Sequence, residues 1–118
     1  MTTGCMTPFD LVILPFPFTD LRSTKQRPCL ILAALHPRGL EEHYVVAMIT
    51  SHISGLSFPG DTPLAAWREA GLPKPSLVRL AKVVTVERSL IRKKLGTLQE
   101  ADRYAVRSQF LQVFAELL

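Results

Sequence analysis

The sequence has no long apolar run, no cysteine cluster and no internal repeat, and each absence narrows the class of protein. No stretch approaches the roughly 18 consecutive apolar residues of a membrane-spanning helix. The segment MTTGCMTPFD lacks the cationic start and apolar run of a signal peptide. The two cysteines, Cys5 and Cys29, match no metal-binding spacing. We therefore expect a cytoplasmic protein with free thiols and without a metal or other cofactor.

What the sequence does contain is enough apolar residues for a core and an uneven distribution of positive charge. Its 118 residues are 47% hydrophobic, which predicts one domain over residues 1–118, with residues 1–8 disordered. The net charge is +4, and nine of the fourteen Lys and Arg residues fall into two groups, which indicates an anionic partner, either nucleic acid or an acidic protein segment; a solvated basic surface is the equally open alternative. The groups are Arg22, Lys25 and Arg27, and then Arg79, Lys82, Arg88, Arg92, Lys93 and Lys94.

Three apolar stretches in the first half of the chain have the length and composition of β-strands. Phe9 to Phe16 is almost continuously apolar, which predicts a strand buried on both faces. A loop rich in turn formers follows, and the second strand runs from Arg27 to Leu35. The third strand is predicted from Tyr44 to Thr50. Both later strands carry polar groups at one end, so they are expected to form one site.

The second half of the chain alternates turn signals with β-type residues. Thr62 is predicted to cap a short helical turn that runs from Pro63 through Trp67, with Gly71 beyond its end. Ser76 to Glu87 favours one long strand or two short ones. The secondary structure of residues 89–95 is left open by their sequence.

The last segment is the clearest helix. Thr97 and Glu100 form a capping-box pattern, and apolar residues recur at helical spacing with charges opposite. These apolar residues are Val106, Phe110, Val113, Phe114 and Leu117. Short strands followed by one helix favour a mainly β fold, a small, strongly bent barrel with the helix packed against it.

Several blocks of the sequence are similar to a known family. They are PFDLVILPFPFTDLRSTKQRPCLIL, VVAMITS and AGLPKPSLVRLAKVVTVERSLIRKKLG, together with the final helix. From Phe9 to Leu117 the chain resembles the PemK/MazF family of toxin endoribonucleases. The resemblance implies an SH3-like barrel of short antiparallel strands with a C-terminal helix, usually as a homodimer. It also implies sequence-specific, metal-independent cleavage of single-stranded RNA. The implied partner is an acidic, partly disordered antitoxin that covers the Arg22 to Arg27 loop.

Metal-free cleavage of RNA sets requirements that three residues are predicted to meet. The 2′-hydroxyl attacks its own phosphate, so a site must accept a proton, stabilise a dianionic phosphorane and protonate the 5′-oxygen. Arg27 matches the arginine of the family's Arg-Pro block, and its fork of donors suits phosphate oxygens. Thr50 matches the threonine of the Ile-Thr-Ser block and would hold a non-bridging oxygen. His52 shares a face with Thr50 if the strand continues, so its imidazole is the candidate general base or acid.

Five further residues are predicted to contact RNA: Phe18, Arg22, Lys25, Ser51 and Arg79. The ring of Phe18 would stack on an unpaired base. Arg79 stands where some family members carry a further catalytic or phosphate-binding arginine. The structural alternatives are that Arg27 is only a capping charge or ion-pair partner and that Thr50 is an ordinary strand residue.

Two residues depart from the family pattern. Ala81 stands where many members have an acidic residue shortly after the arginine, and His52 stands where Gln or Arg is common. Ala81 keeps open a second function, that of a catalytically inactive nucleic-acid-binding barrel. A third is a CcdB-like toxin that poisons a protein such as DNA gyrase. It is disfavoured because that mode places a tryptophan and an aliphatic residue at the C-terminus, whereas this chain ends Glu-Leu-Leu.

Overall fold

The structure is a computed structural model that describes residues 6–15, 25–51 and 57–118. In chain order these residues form β1 (Asp10–Pro15), β2 (Gln26–Leu35), β3 (His43–Thr50), β4 (Asp61–Pro63), β5 (Leu77–Glu87), a 3-10 helix (Arg88–Leu90), β6 (Lys93–Thr97) and α1 (Glu100–Val113). The prediction of a mainly β fold with a C-terminal helix is confirmed. No helix within the described ranges has the length and apolar character to cross a membrane.

The strands form one antiparallel sheet in the order β4-β5-β3-β2-β1-β6. Within the described residues the sheet stays open, because its edge strands β4 and β6 pair with one neighbour each. It is irregular in the middle: Ala47 pairs with Val83 but the next residue, Met48, pairs with Arg79. The extra residues of β5 at this point form a bulge, and bulges bend a strand and increase its twist.

The near-continuous apolar character of the central strands follows from burial on both faces of the sheet. Successive residues such as Leu30 and Ile31 point to opposite faces, and they belong to two separate buried clusters. The first cluster also contains Val106 of α1 and Leu64. The second contains Tyr44 and also Met6, which is 2% exposed. Of the N-terminal residues 1–8 predicted to be disordered, residues 1–5 lie outside the described ranges.

Both predicted threonine caps are wrong, because each hydroxyl has another partner. Thr62 lies in the middle of β4, and its Oγ1 donates to the carbonyl of Gly60 at 3.0 Å. Thr97 is the last residue of β6, and its Oγ1 donates to the carbonyl of Phe9 at 3.2 Å. The residue that precedes α1 is Gln99, which makes no side-chain capping bond.

Further along the chain, the structure resolves the open choices. Ser76 to Glu87 contains one long strand, β5, and residues 89–95 divide between the 3-10 helix and β6. The apolar stripe of the final helix is only partly covered. Val106 is 3% exposed, whereas Phe110 and Leu117 are 37% and 81% exposed.

Candidate functional site

A cleft of about 360 Å³ opens at one end of the central strands, where β2 begins and β3 ends. It is lined by residues 25–28, residues 49–51, residues 72–74 and Ser76. Of the predicted site residues, Arg27, Thr50, Lys25 and Ser51 therefore line one cavity. The predictions for Phe18, Arg22 and His52 fall outside the described residues.

Strand pairing places Arg27 beside Thr50. Cys29 pairs with Met48 and Leu30 with Ala47, so the same register carried two residues further sets Arg27 opposite Thr50. Side chains directly opposite on neighbouring antiparallel strands have Cβ atoms roughly 5 Å apart. An arginine and a threonine at this spacing are able to contact oxygens of one phosphate group.

The Arg27 side chain is partly buried, and one of its hydrogen-bond donors is unpaired within the described residues. Its Nε is buried and has no hydrogen-bond partner among the described residues. Buried donors are nearly always paired, so an unpaired one indicates a missing partner. Thr50 is also well covered, at 7% exposed. The cleft thus holds a guanidinium donor and a hydroxyl in a setting from which water is partly excluded.

The charge of the cleft is positive. Lys25, Arg27 and Lys74 line it, and no aspartate or glutamate is among its described lining residues. Charges that converge on a concave surface attract anions more strongly than the same charges scattered on a convex one. The cleft is therefore suited to an anionic ligand.

Sequence reasoning missed Lys74 and Ser76, which belong to the opposite wall of the cleft. The Oγ of Ser76 donates to the carbonyl of Lys74 at 2.8 Å. The signal in the sequence is the pattern Pro73-Lys74-Pro75, in which two prolines restrict the backbone around a cation. Nothing local shows that this wall faces Arg27.

Arg79 does not line the cleft. Its Nε and Nη2 donate to the two carboxylate oxygens of Asp61 at 3.1 and 3.0 Å, and its guanidinium lies 4.6 Å from the ring centroid of Phe58. The two charged side chains are 12% and 10% exposed. Although residue 81 is alanine, a carboxylate from β4 therefore lies beside Arg79.

Cys29 lies two residues beyond Arg27 but is not a nucleophile. Burial raises the pKa of its thiol to about 12, so the reactive thiolate is not formed at neutral pH. The side chain is fully buried, and its Sγ lies 3.8 Å from the carbonyl of Arg27.

The chain is thus a small β domain, a bent antiparallel sheet with a C-terminal helix and a cleft suited to an anionic ligand. The family model for the PemK-like, MazF-like toxin of type II toxin-antitoxin systems matches residues 7–114. The chain belongs to this family of toxins. Among curated proteins, no sequence matches the chain significantly.

Solved structures show the same fold at low sequence identity. MazF from Deinococcus radiodurans is 20% identical with a TM-score of 0.67, over 96% of this chain and 99% of that chain. The Mycobacterium tuberculosis toxin MazF-mt6 is 23% identical with a TM-score of 0.62, over 90% and 96%. An endoribonuclease from a mycobacterial species, in complex with its cognate antitoxin, is 13% identical with a TM-score of 0.66, over 94% and 96%.

Proposed function

We propose that this toxin is a metal-independent endoribonuclease that cleaves single-stranded mRNA at specific sequences and so arrests growth. The observation that carries the proposal is the pairing of Arg27 with Thr50 in a cationic cleft, with the buried Nε of Arg27 lacking a described partner. Family membership and the mycobacterial endoribonuclease of the same fold support it.

The proposed reaction is transesterification within the RNA. The 2′-oxygen forms a bond to phosphorus, the bond from phosphorus to the 5′-oxygen breaks, and the products are a 2′,3′-cyclic phosphate and a 5′-hydroxyl. One group accepts the 2′-hydroxyl proton and another protonates the leaving 5′-oxygen. Arg27 stabilises the dianionic phosphorane, because a guanidinium held in a fixed position interacts more strongly with the negative charge that develops in the transition state than with the ground state. Thr50 donates to a non-bridging oxygen, and His52 stays the candidate proton carrier.

The test is cleavage of a long single-stranded RNA by the purified protein in EDTA. We expect discrete fragments with 5′-hydroxyl ends, and no fragments from Arg27→Ala or Thr50→Ala. Arg38→Ala is the matched control, because it removes one exposed cation near the far end of β2. RNA left intact by the folded wild-type protein would refute the proposal.

The second candidate is an inactive nucleic-acid-binding domain, the alternative that the sequence keeps open because Ala81 stands where many family members have an acidic residue. Arg27→Ala separates the two functions. A pure binder loses affinity modestly, whereas an enzyme loses turnover.

Two associations complete the proposal. The toxin is a cytoplasmic homodimer, which is supported by the exposed apolar side chains of α1, Phe110 at 37% and Leu111 at 55%. They border an apolar groove of about 280 Å³ that also includes Phe9 and Leu32.

The antitoxin is an acidic, partly disordered segment that binds across the Arg22 to Arg27 loop. A pull-down from the native host that recovers no acidic partner would contradict the second association.

A further inference from the structure

The connection between β4 and β5, residues 64–76, contains no strand and no regular helix, yet it is closely attached to the rest of the fold. Its ends are joined, because the backbone N–H of Leu64 donates to the carbonyl of Ser76 at 3.0 Å. Connections of this length in compact domains usually carry a function. Here the connection supplies the wall of the cleft that faces Arg27.

Asp102 of α1 is the first attachment of this connection. The carboxylate is 3% exposed, and its two oxygens accept hydrogen bonds from the backbone N–H groups of Ala65 and Ala66, both at 2.9 Å. These donors begin the turn over residues 65–71. Asp102 therefore acts as an N-cap supplied from a distant element, and a charge-assisted bond of this kind is stronger than a neutral one.

A close contact between two backbones is the second attachment. Gly71 has a φ of +98°, and a Cβ placed on it would lie 2.5 Å from the carbonyl oxygen of Leu95. A Cβ on Gly96 would collide in the same way with the carbonyl of Ala70. The turn and β6 thus touch through their main chains, which leaves the connection little freedom to move.

These attachments hold Lys74 in place. It lies between two prolines, its carbonyl accepts the Ser76 hydroxyl, and its side chain lines the cleft. The Lys74 ammonium has no acidic partner among the described residues. A backbone held this firmly presents a charge at a fixed point, as in other loops that bind ligands.

We infer that Lys74 binds a backbone phosphate of the RNA next to the phosphate held at Arg27, and that Asp102 is the residue that positions it. The inference rests on the proposed function in that RNA is the ligand. Such a contact is made equally in the ground state and the transition state, so it lowers KM without changing kcat.

The first test measures the salt dependence of binding to a 2′-deoxy oligonucleotide, which lacks the attacking hydroxyl and is not cleaved. Each phosphate contact to a single strand contributes about 0.7 to the slope of log affinity against log salt. Lys74→Ala should therefore reduce the slope by about 0.7. Equivalently, over a fourfold rise in salt the wild type should lose about 2.6-fold more affinity than the variant. Lys74→Arg should keep the slope, and Arg38→Ala should leave it unchanged.

The second test separates positioning from general stability. Asp102→Asn should raise KM for RNA cleavage with little change in kcat, at a temperature where the variant is folded. In the Lys74→Ala background the same substitution should have no further effect on KM, because the two changes act through one contact. Equal effects of Asp102→Asn in both backgrounds would refute the positioning role.

The outcomes distinguish this inference from the proposed function. Because Lys74 is exposed, Lys74→Ala leaves the fold intact and gives a result even if Asp102→Asn does not fold. RNA cleaved by the wild type together with an unchanged Lys74→Ala slope would overturn the inference alone. A reduced slope together with uncut RNA would overturn the ribonuclease and leave the phosphate contact standing.

Discussion

Replacement of Arg27 by methionine should make the protein more stable and greatly lower its rate of RNA cleavage. Methionine is apolar and similar in length, so it keeps the packing of the arginine stem and removes the guanidinium. The side chain is partly buried, and its Nε has no partner among the described residues. A structural ion-pair partner would behave in the opposite way, because its removal destabilises the fold. The sign of the change in unfolding free energy therefore distinguishes the two roles.

The size of the effect follows from the unpaired donor. A buried polar group without a partner costs about 1–3 kcal/mol, and the lower end applies here because the side chain is only partly covered. The entropy of unfolding is roughly 2.1 cal/mol/K per residue, so a gain of about 1 kcal/mol raises the Tm of this chain by about 4 °C. Loss of an electrostatic stabiliser of the transition state should lower kcat by about 10² to 10³.

The assay is urea unfolding of the two proteins, together with RNA cleavage in EDTA. Arg103→Met is a matched control, because the Nε of Arg103 donates to the carbonyl of Leu98 at 2.9 Å and the side chain is not at the cleft. It should lose about 1 kcal/mol and keep its activity. A loss of 1 kcal/mol or more in Arg27→Met would mean that Arg27 holds the fold together, and the argument from the unpaired donor would be wrong.

Three further predictions concern alkaline stability, backbone contact and assembly. Burial raises the pKa of the Cys29 thiol from 9.0 to about 12. The free energy of unfolding that the protonated thiol contributes is therefore complete below pH 9 and is lost as the pH rises towards 12. Cys29→Ala should reduce this alkaline fall in the free energy of unfolding. Gly71→Ala should lower the free energy of unfolding in urea by more than roughly 2 kcal/mol, because the backbone strain of alanine at a φ of +98° adds to the collision of its Cβ with the carbonyl of Leu95. Gly39→Ala, at φ +79° with no atom within 4 Å of its Cβ, should cost less. In light scattering at micromolar concentration the wild type should be a dimer and Leu111→Glu a monomer; a monomeric wild type would refute the homodimer.

The strands nearest the cleft were predictable because their local pattern agrees with their environment. β1, β2 and β3 lie within a few residues of the predicted strands. Their near-continuous apolar residues fit a sheet with a buried cluster on each face. The approach of Arg27 to Thr50 was predictable for a related reason. Each stands at one end of an apolar strand, and antiparallel pairing brings those ends together.

The caps and the far wall of the cleft were not predictable from local pattern. A threonine at a helix start and a threonine in a strand look alike in sequence, and the hydroxyls of Thr62 and Thr97 are taken by backbone carbonyls of the sheet and its turns. The true cap of the turn is Asp102, whose bonded partners lie 36 and 37 residues earlier. Lys74 was missed because this distant contact helps to set its position.

The environment of Arg79 changes what Ala81 means for catalysis. Asp61 pairs with Arg79 across the β4–β5 ladder, and two guanidinium nitrogens are bound to its carboxylate. Bidentate geometry makes this a strong pair, and the Phe58 ring lies 4.6 Å from the same guanidinium. A carboxylate therefore accompanies Arg79 although residue 81 is alanine. Since neither partner lines the cleft, the proposed phosphate chemistry depends on Arg27, and the alanine is weak evidence for an inactive domain.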